Sequence, residues 1–309
     1  MMLGVDHIGV GVTDVERSKE FYGRLGLGDV AFDYRGPLPG MDAIAGGEVG
    51  DVRIVMLRPT EPTVLGPGSV KLVHFEDRPV PPLPPDTAWG EPGICEVCIH
   101  VKDHDAEYER LVSEHGVTSL MEPVEAVLTP NETDVRLSYI ADPDDGKIEL
   151  LEWPGLEAGW PTPSGSQGVN HVAFGVADIE RSTAFYRQLG FTGMLFESDG
   201  YFEPMHPWYP GEAPSQKMAL LTNPLGAAME PVQHTPPSPD CRGEWGHAGP
   251  FEFAIGVRNL ERAAERVLAA GGELRTGPQS IGVGDGGEYR YQYFADPDDL
   301  YVSLVEARY

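Results

Sequence analysis

A chain of 309 residues, 41% apolar and 23% charged, is about twice an ordinary domain and can bury a core in each half, which excludes wholesale disorder. The 49 Asp and Glu against 22 Lys and Arg leave a net charge of −27, which repels phosphate backbones and anionic lipid and argues against nucleic acid and membrane partners. The opening MMLGVDHIGVGV lacks a basic leader, and no apolar run reaches the roughly 18 residues of a membrane span, so a cytoplasmic protein is expected.

In chain order, VDHIGVGV (5–12) alternates as a strand, and a helix follows from Thr13 or Asp14 to Gly26. The runs VRIVMLRP and VKLVHFE are strand-like, and the Pro-rich PVPPLPPDTAWGEPG (79–93) is a spacer. GICEVCIHV opens a second strand and helix, the helix running from Asp103 to Gly116, followed by VRLSYIADP and KIELLEWP. Within it, Cys95 and Cys98 form a CxxC, but i, i+3 on a strand places them on opposite faces. They are read as buried thiols, and three cysteines give no disulfide framework.

PGLEAGWPTPSGSQG (154–168) marks a boundary. Beyond it VNHVAFGV leads into a helix from Asp178 to Gly190. The aromatic loop YFEPMHPWYPGEAP (201–214) either caps a ligand or packs against the other half. After the strand AMEPVQHT comes a second Pro-rich spacer, TPPSPDCRGEWGHAGP (235–250). The strand FEFAIGV and a helix from Asn259 to Gly271 precede the Gly-rich GVGDGGEYRY (282–291). That run lacks the context of a phosphate loop and is read as a hairpin before the final strand LYVSLVEARY.

The chain repeats itself. VDHIGVGVTDVERSKEFYGRLGL (5–27) returns as VNHVAFGVADIERSTAFYRQLGF (169–191) with 12 of 23 positions identical, and YIADPDD (139–145) returns as YFADPDD (293–299). Each half also holds two strand-helix openings, so the unit is βαβββ, present four times in an α+β chain.

These motifs resemble the vicinal oxygen chelate superfamily, the group of glyoxalase I, methylmalonyl-CoA epimerase, extradiol dioxygenases, and the fosfomycin and bleomycin resistance proteins. The resemblance covers nearly the whole chain as a tandem two-domain member. It implies two glyoxalase-like domains, 1–156 (modules 1–78 and 93–156) and 166–309 (modules 166–235 and 249–309). In each, paired modules form a U-shaped mixed sheet around a cavity.

The resemblance further implies metal ligands on the first and last strands of each module, facing the cavity. Alternation puts His7, Gly9 and Gly11 on one face and Ile8, Val10 and Val12 on the other. His7 and His171 occupy equivalent places, and each is either a ligand or a satisfied core histidine. In the second half the ligand positions hold His171, Glu230 and Glu252, with Ser303 where a Glu is expected. One imidazole and two carboxylates suit Fe²⁺, Mn²⁺, Ni²⁺ or Zn²⁺. In the first half they hold His7, Glu96 and Glu149, with His100 farther along the strand. Lys71 stands at the remaining position, where it would neutralise Glu96 or Glu149, so this half is read as a metal-free, ion-paired pocket.

The resulting expectation is a metal-dependent enzyme acting on a small oxygenated substrate through the second half, as an isomerase, epimerase or lyase, with Glu252 alternating between ligand and base. Both second histidines of the family pattern are Glu, which disfavours dioxygenase chemistry. The alternative is a metal-free small-molecule binding or drug-sequestration protein. A monomer or loose homodimer is expected.

Overall fold

The computed structural model describes all residues except 62, 85–88, 129–132, 158–162, 210, 239–241, 285 and 309. Parts of all three predicted linkers therefore lie outside the described residues.

Module one consists of β1 (Met2–Gly11), α1 (Val15–Arg24), β2 (Asp29–Pro37), β3 (Asp51–Arg58) and β4 (Ser69–Phe75). Module two consists of β5 (Gly93–Lys102), α2 (His104–Glu109), β6 (Ser119–Leu128), β7 (Thr133–Ala141) and β8 (Lys147–Glu152), followed by the short α3 (Pro154–Glu157). Module three holds β9 (Gly165–Gly175), α4 (Ile179–Gln188), β10 (Gly193–Gly200), β11 (Ser215–Thr222) and β12 (Ala228–Thr235). Module four holds β13 (Gly249–Val257), α5 (Leu260–Ala269), β14 (Glu273–Leu274), β15 (Gln279–Gly282), β16 (Glu288–Ala295) and β17 (Tyr301–Arg308).

The helix starts follow the local chemistry. Asp14 accepts hydrogen bonds from the Glu16 and Arg17 N–H groups, Asp178 from Arg181 and Asn259 from Arg262, each cap contributing about 1 kcal/mol. Asp103 departs from this pattern: it makes no side-chain cap bond, its φ is +60°, and its short helix runs on into a π-turn over 110–114. The Gly-rich run before β16 is a hairpin, as expected, with β15 and β16 antiparallel.

The four modules build two curled mixed sheets, but each sheet joins modules from different halves. Sheet A runs β14-β16-β17-β13-β1-β4-β3-β2, with β15 beside β16, and so unites modules one and four. Sheet B runs β10-β11-β12-β9-β5-β8-β7-β6 and unites modules two and three. The seams are antiparallel: β1 against β13, with Ile8 opposite Phe253, and β5 against β9, with Cys98 opposite His171. The expected pairing of one with two, and three with four, is therefore corrected. Neighbouring modules in the chain are joined instead by clasps: Tyr22 of α1 donates to Asp142, and Tyr186 of α4 donates to Asp296. Asp142 also accepts from the Asp144 and Gly146 N–H groups, and Asp296 from Asp298 and Leu300. The repeated ADPDD is thus the turn that receives the repeated helix.

The predicted alternation along β1 holds. Ile8, Val10 and Val12 lie in the apolar layer between the backs of the two sheets, where Phe174 stacks on Phe253 at 5.2 Å. The concave faces of sheets A and B each enclose a separate cluster. Cys95 and Cys98 are both buried in the sheet B cluster, because a register shift between Ile94 and Glu96 breaks the alternation. The opposite-face reading is corrected, while the burial of both free thiols agrees with expectation.

Candidate metal centre

Four adjacent strands of sheet B aim polar groups at one point. Glu230 of β12 and Glu96 of β5 flank Ala173 of β9 in register, and the small Ala side chain leaves room between the two carboxylates. His171, two residues earlier on β9, reaches the same space, and Glu149 enters from β8 beside Cys98. His171 Nε2 lies 3.1 Å from Glu230 Oε2, 3.6 Å from Glu96 Oε1 and 3.7 Å from Glu149 Oε2. All four side chains are buried.

A chain of hydrogen bonds orients the imidazole. Its Nδ1 is 2.9 Å from Asn170 Oδ1, which sets Nδ1–H as the donor and turns Nε2 to the carboxylates. The Asn170 amide nitrogen in turn donates to His100 Nδ1, and His100 Nε2–H donates to Glu157. Burial holds His100 down to about 4, so this relay carries a neutral ring. Glu96 Oε2 accepts from Trp89 Nε1 at 2.6 Å.

The electrostatics fit a cation. Burial pulls the His171 pKa down, but Glu230, Glu96 and Glu149 outweigh it and hold the ring up at about 10. Burial and then the Glu96 charge push Glu149 up to about 8, and burial raises Glu230. One Nε2–H can serve one carboxylate well, and it serves Glu230. Glu96 Oε1 and Glu149 Oε2 remain buried with no hydrogen-bond partner. One imidazole and two carboxylates, those of His171, Glu96 and Glu230, lie within 4.8 Å of one another and match the donor chemistry of a divalent ion, with Glu149 alongside.

Sheet A carries the equivalent quartet in another state. His7, Lys71, Glu252 and Ser303 occupy matching positions on β1, β4, β13 and β17. Lys71 Nζ forms an ion pair with Glu252 Oε1, while Tyr293 OH and Trp245 Nε1 both donate to Glu252 Oε2. In sheet A the Lys71 ammonium supplies the counter-charge that the protonated His171 ring supplies in sheet B. His7 bonds Asp6 through Nδ1 and has Tyr289 OH at 3.4 Å from Nε2; burial holds its pKa down. Ser303 Oγ is buried without a hydrogen-bond partner.

Family models described as the Glyoxalase/Bleomycin resistance protein/Dioxygenase superfamily match residues 6–139 and 168–304. The chain belongs to that superfamily. No curated protein sequence matches it. Glyoxalase I from Zea mays is similar in structure at a TM-score of 0.57 and 17% identity, over 98% of this chain and 92% of that one. A putative dioxygenase from Bacillus subtilis is similar at 0.54 and 12%, over 99% and 85%. At such identities these likenesses speak to the fold alone.

Within this superfamily fold, the residues singled out from sequence all lie on concave faces or strand ends, but their grouping differs. His171 and Glu230 are joined by Glu96 and Glu149, and Glu252 and Ser303 belong with His7 and Lys71. The expected His171, Glu230, Glu252 set does not form, because β13 lies in sheet A rather than beside module three. Glu252 is fully buried with its oxygens held by Lys71, Tyr293 and Trp245, which corrects its assignment as ligand and base. Lys71 neutralises Glu252, not Glu96 or Glu149. His100 stands outside the quartet and acts on His171 through Asn170.

Sequence reasoning missed the two tryptophans. WGEPGICE (89–96) and WGHAGPFE (245–252) share W-G-x-x-G-x-x-E, a repeat that points each indole at the Glu seven residues on. In the aromatic loop, Trp208 meets Tyr139 of module two edge-on at 5.2 Å, and Tyr209 donates to the carbonyl of Trp89 in the spacer before that module. A cavity of about 470 Å³ opens between modules two and four, bounded by Cys95, Lys147, Phe251 and Tyr293, rather than over the quartet itself.

Proposed function

We propose that the chain is a metal-dependent enzyme of the vicinal oxygen chelate type, acting on a small oxygenated substrate at the sheet B quartet. Isomerisation, epimerisation or lyase-type proton abstraction is favoured over dioxygenation, because the quartet has one imidazole and three carboxylates. The observation that supports this reading is the pair of orphaned, buried carboxylate oxygens facing His171.

His171, Glu230 and Glu96 would hold the ion, with Fe²⁺, Mn²⁺, Ni²⁺ and Zn²⁺ as candidates, and Glu149 would stand beside it. Such an ion would grip neighbouring substrate oxygens and stabilise negative charge developing on them. The chain's own contribution is proton handling. Glu149 Oε2 faces His171 with no hydrogen-bond partner, and burial and the Glu96 charge raise its proton affinity in the metal-free protein, which suits a base that takes and returns a proton. Asn170 fixes the His171 tautomer, and Trp89 fixes the Glu96 rotamer. Trp208 and Tyr209 cover the sheet B cluster and restrict water.

Support for a metal-free reading is confined to sheet A, where Lys71 already neutralises Glu252. A cytoplasmic monomer or loose dimer fits the free, buried Cys95 and Cys98 and the completion of both sheets within one chain. No helix among the described residues is long and apolar enough to cross a membrane.

The test is solvent deuterium exchange at the α-carbon of simple α-hydroxycarbonyl compounds, using protein loaded with each candidate ion. Exchange that disappears in Glu149→Gln and Glu230→Gln and persists in Glu252→Gln is expected. Exchange that ignores the first two substitutions would overturn the assignment.

A further inference from the structure

Cys98 lies on β5 between the quartet strands, opposite His171 on one side and Glu149 on the other. Its Sγ, a Glu149 oxygen and a His171 nitrogen all lie within 4.8 Å of one another. The same distance encloses donor atoms of Glu96, His171 and Glu230. The two triangles share His171. Each has an unpartnered, fully buried oxygen aimed into it: Glu149 Oε2 in the first and Glu96 Oε1 in the second.

We propose that His171 serves two overlapping cation seats, and that the Cys98 thiolate becomes a metal ligand when the bound ion is thiophilic. An ion seated among Cys98, Glu149 and His171 meets two negative ligands and one neutral one, which balances a divalent charge. The Glu96, His171, Glu230 seat balances it equally, with only hard oxygen and imidazole donors. Ligand softness then selects between them: Mn²⁺ stays with the carboxylates, whereas Zn²⁺, Co²⁺ and Cd²⁺ gain a sulfur donor. The thiol proton leaves to solvent on binding, as for any cysteine that ligates a metal. Cys95 does not share this role. Its thiol donates to the Glu91 and Gly93 carbonyls, and it belongs to neither triangle.

This inference rests on the sheet B metal reading, and the experiment separates the two. Full-length apo-protein is titrated with Co²⁺ and with Cd²⁺, following sulfur-to-metal charge-transfer absorption, and with Mn²⁺ followed by electron paramagnetic resonance. We expect one Co²⁺ per chain with a charge-transfer band that is lost in Cys98→Ser and kept in Cys95→Ser. Losing the Cys98 donor should weaken Cd²⁺ by no less than the ~10-fold typical of a lost outer-shell partner, with Mn²⁺ affinity changed less than about 3-fold. If Cys98→Ser does not fold, Cys98→Ala replaces it, and the wild-type spectrum already decides the main point. One bound Co²⁺ without a sulfur band would overturn the Cys98 proposal and leave the metal site standing. No bound ion of any kind would overturn both.

Discussion

Lys71 and Glu252, which lie in different halves of the chain, form an ion pair across Gly9 of β1, in a space that a side chain on Gly9 would fill. Their relative exposures are 2% and 0%, so neither charge has water to fall back on. Removing Lys71 alone leaves Glu252 buried without its counter-charge. Lys71→Met is therefore expected to cost about 3–5 kcal/mol, and the Lys71→Met/Glu252→Gln double variant to recover much of the loss. Urea unfolding of the four proteins in the cycle checks this; additive losses would contradict it.

The two tryptophans should separate the sheets by function. Trp89→Phe removes the indole donor from Glu96 and is expected to lower divalent metal affinity about 10–100-fold. Trp245→Phe removes the equivalent donor from Glu252 and should lower stability with metal affinity unchanged. Calorimetric titration of both variants distinguishes them, and equal effects on metal affinity would contradict the assignment.

Metal binding should release protons. In the metal-free protein His171 is held protonated up to about pH 10 and Glu149 up to about 8, and an ion must displace both protons. Affinity is therefore expected to rise with pH up to about 10, most steeply below about 8 where both protons must leave. Titration at pH 7 in buffers of different ionisation enthalpy should report release of one to two protons. A pH-independent affinity would rule this out.

The clasps predict a pH dependence of stability. Burial raises Asp142 and Asp296 to about 6, from 3.8 in the unfolded chain. The folded state thus holds protons that the unfolded state has lost between those values. The stabilisation is full below about 3.8 and disappears as pH rises through about 6, amounting to roughly 2–3 kcal/mol per clasp. Asp142→Asn can still accept from the two backbone N–H groups, and should flatten the slope of unfolding free energy over that window. An unchanged slope would show that Asp142 does not titrate there.

Much of this was legible in the sequence, for reasons that also mark where legibility stopped. The βαβββ unit and its caps at Asp14, Asp178 and Asn259 follow from local alternation and repeats, and the concave positions of His7, His171, Glu96, Glu149, Glu230 and Glu252 from the resemblance to the superfamily. Which modules share a sheet does not. β1, β5, β9 and β13 carry the same pattern, so nothing local distinguishes β13 from β5 as the neighbour of β1. The quartets were consequently assembled from the right positions in the wrong combinations. The CxxC parity failed for a different reason: the register shift before Glu96 depends on how β5 meets β9, which is a property of the pair of strands.

The asymmetry between the sheets is the central claim, and anomalous diffraction from crystals equilibrated with Zn²⁺ or Co²⁺ tests it most directly. We predict one strong peak per chain in sheet B, beside His171 and within reach of Glu149 and Cys98, with none beside Lys71. A peak among His7, Glu252 and Ser303, or no peak in sheet B, would contradict the account.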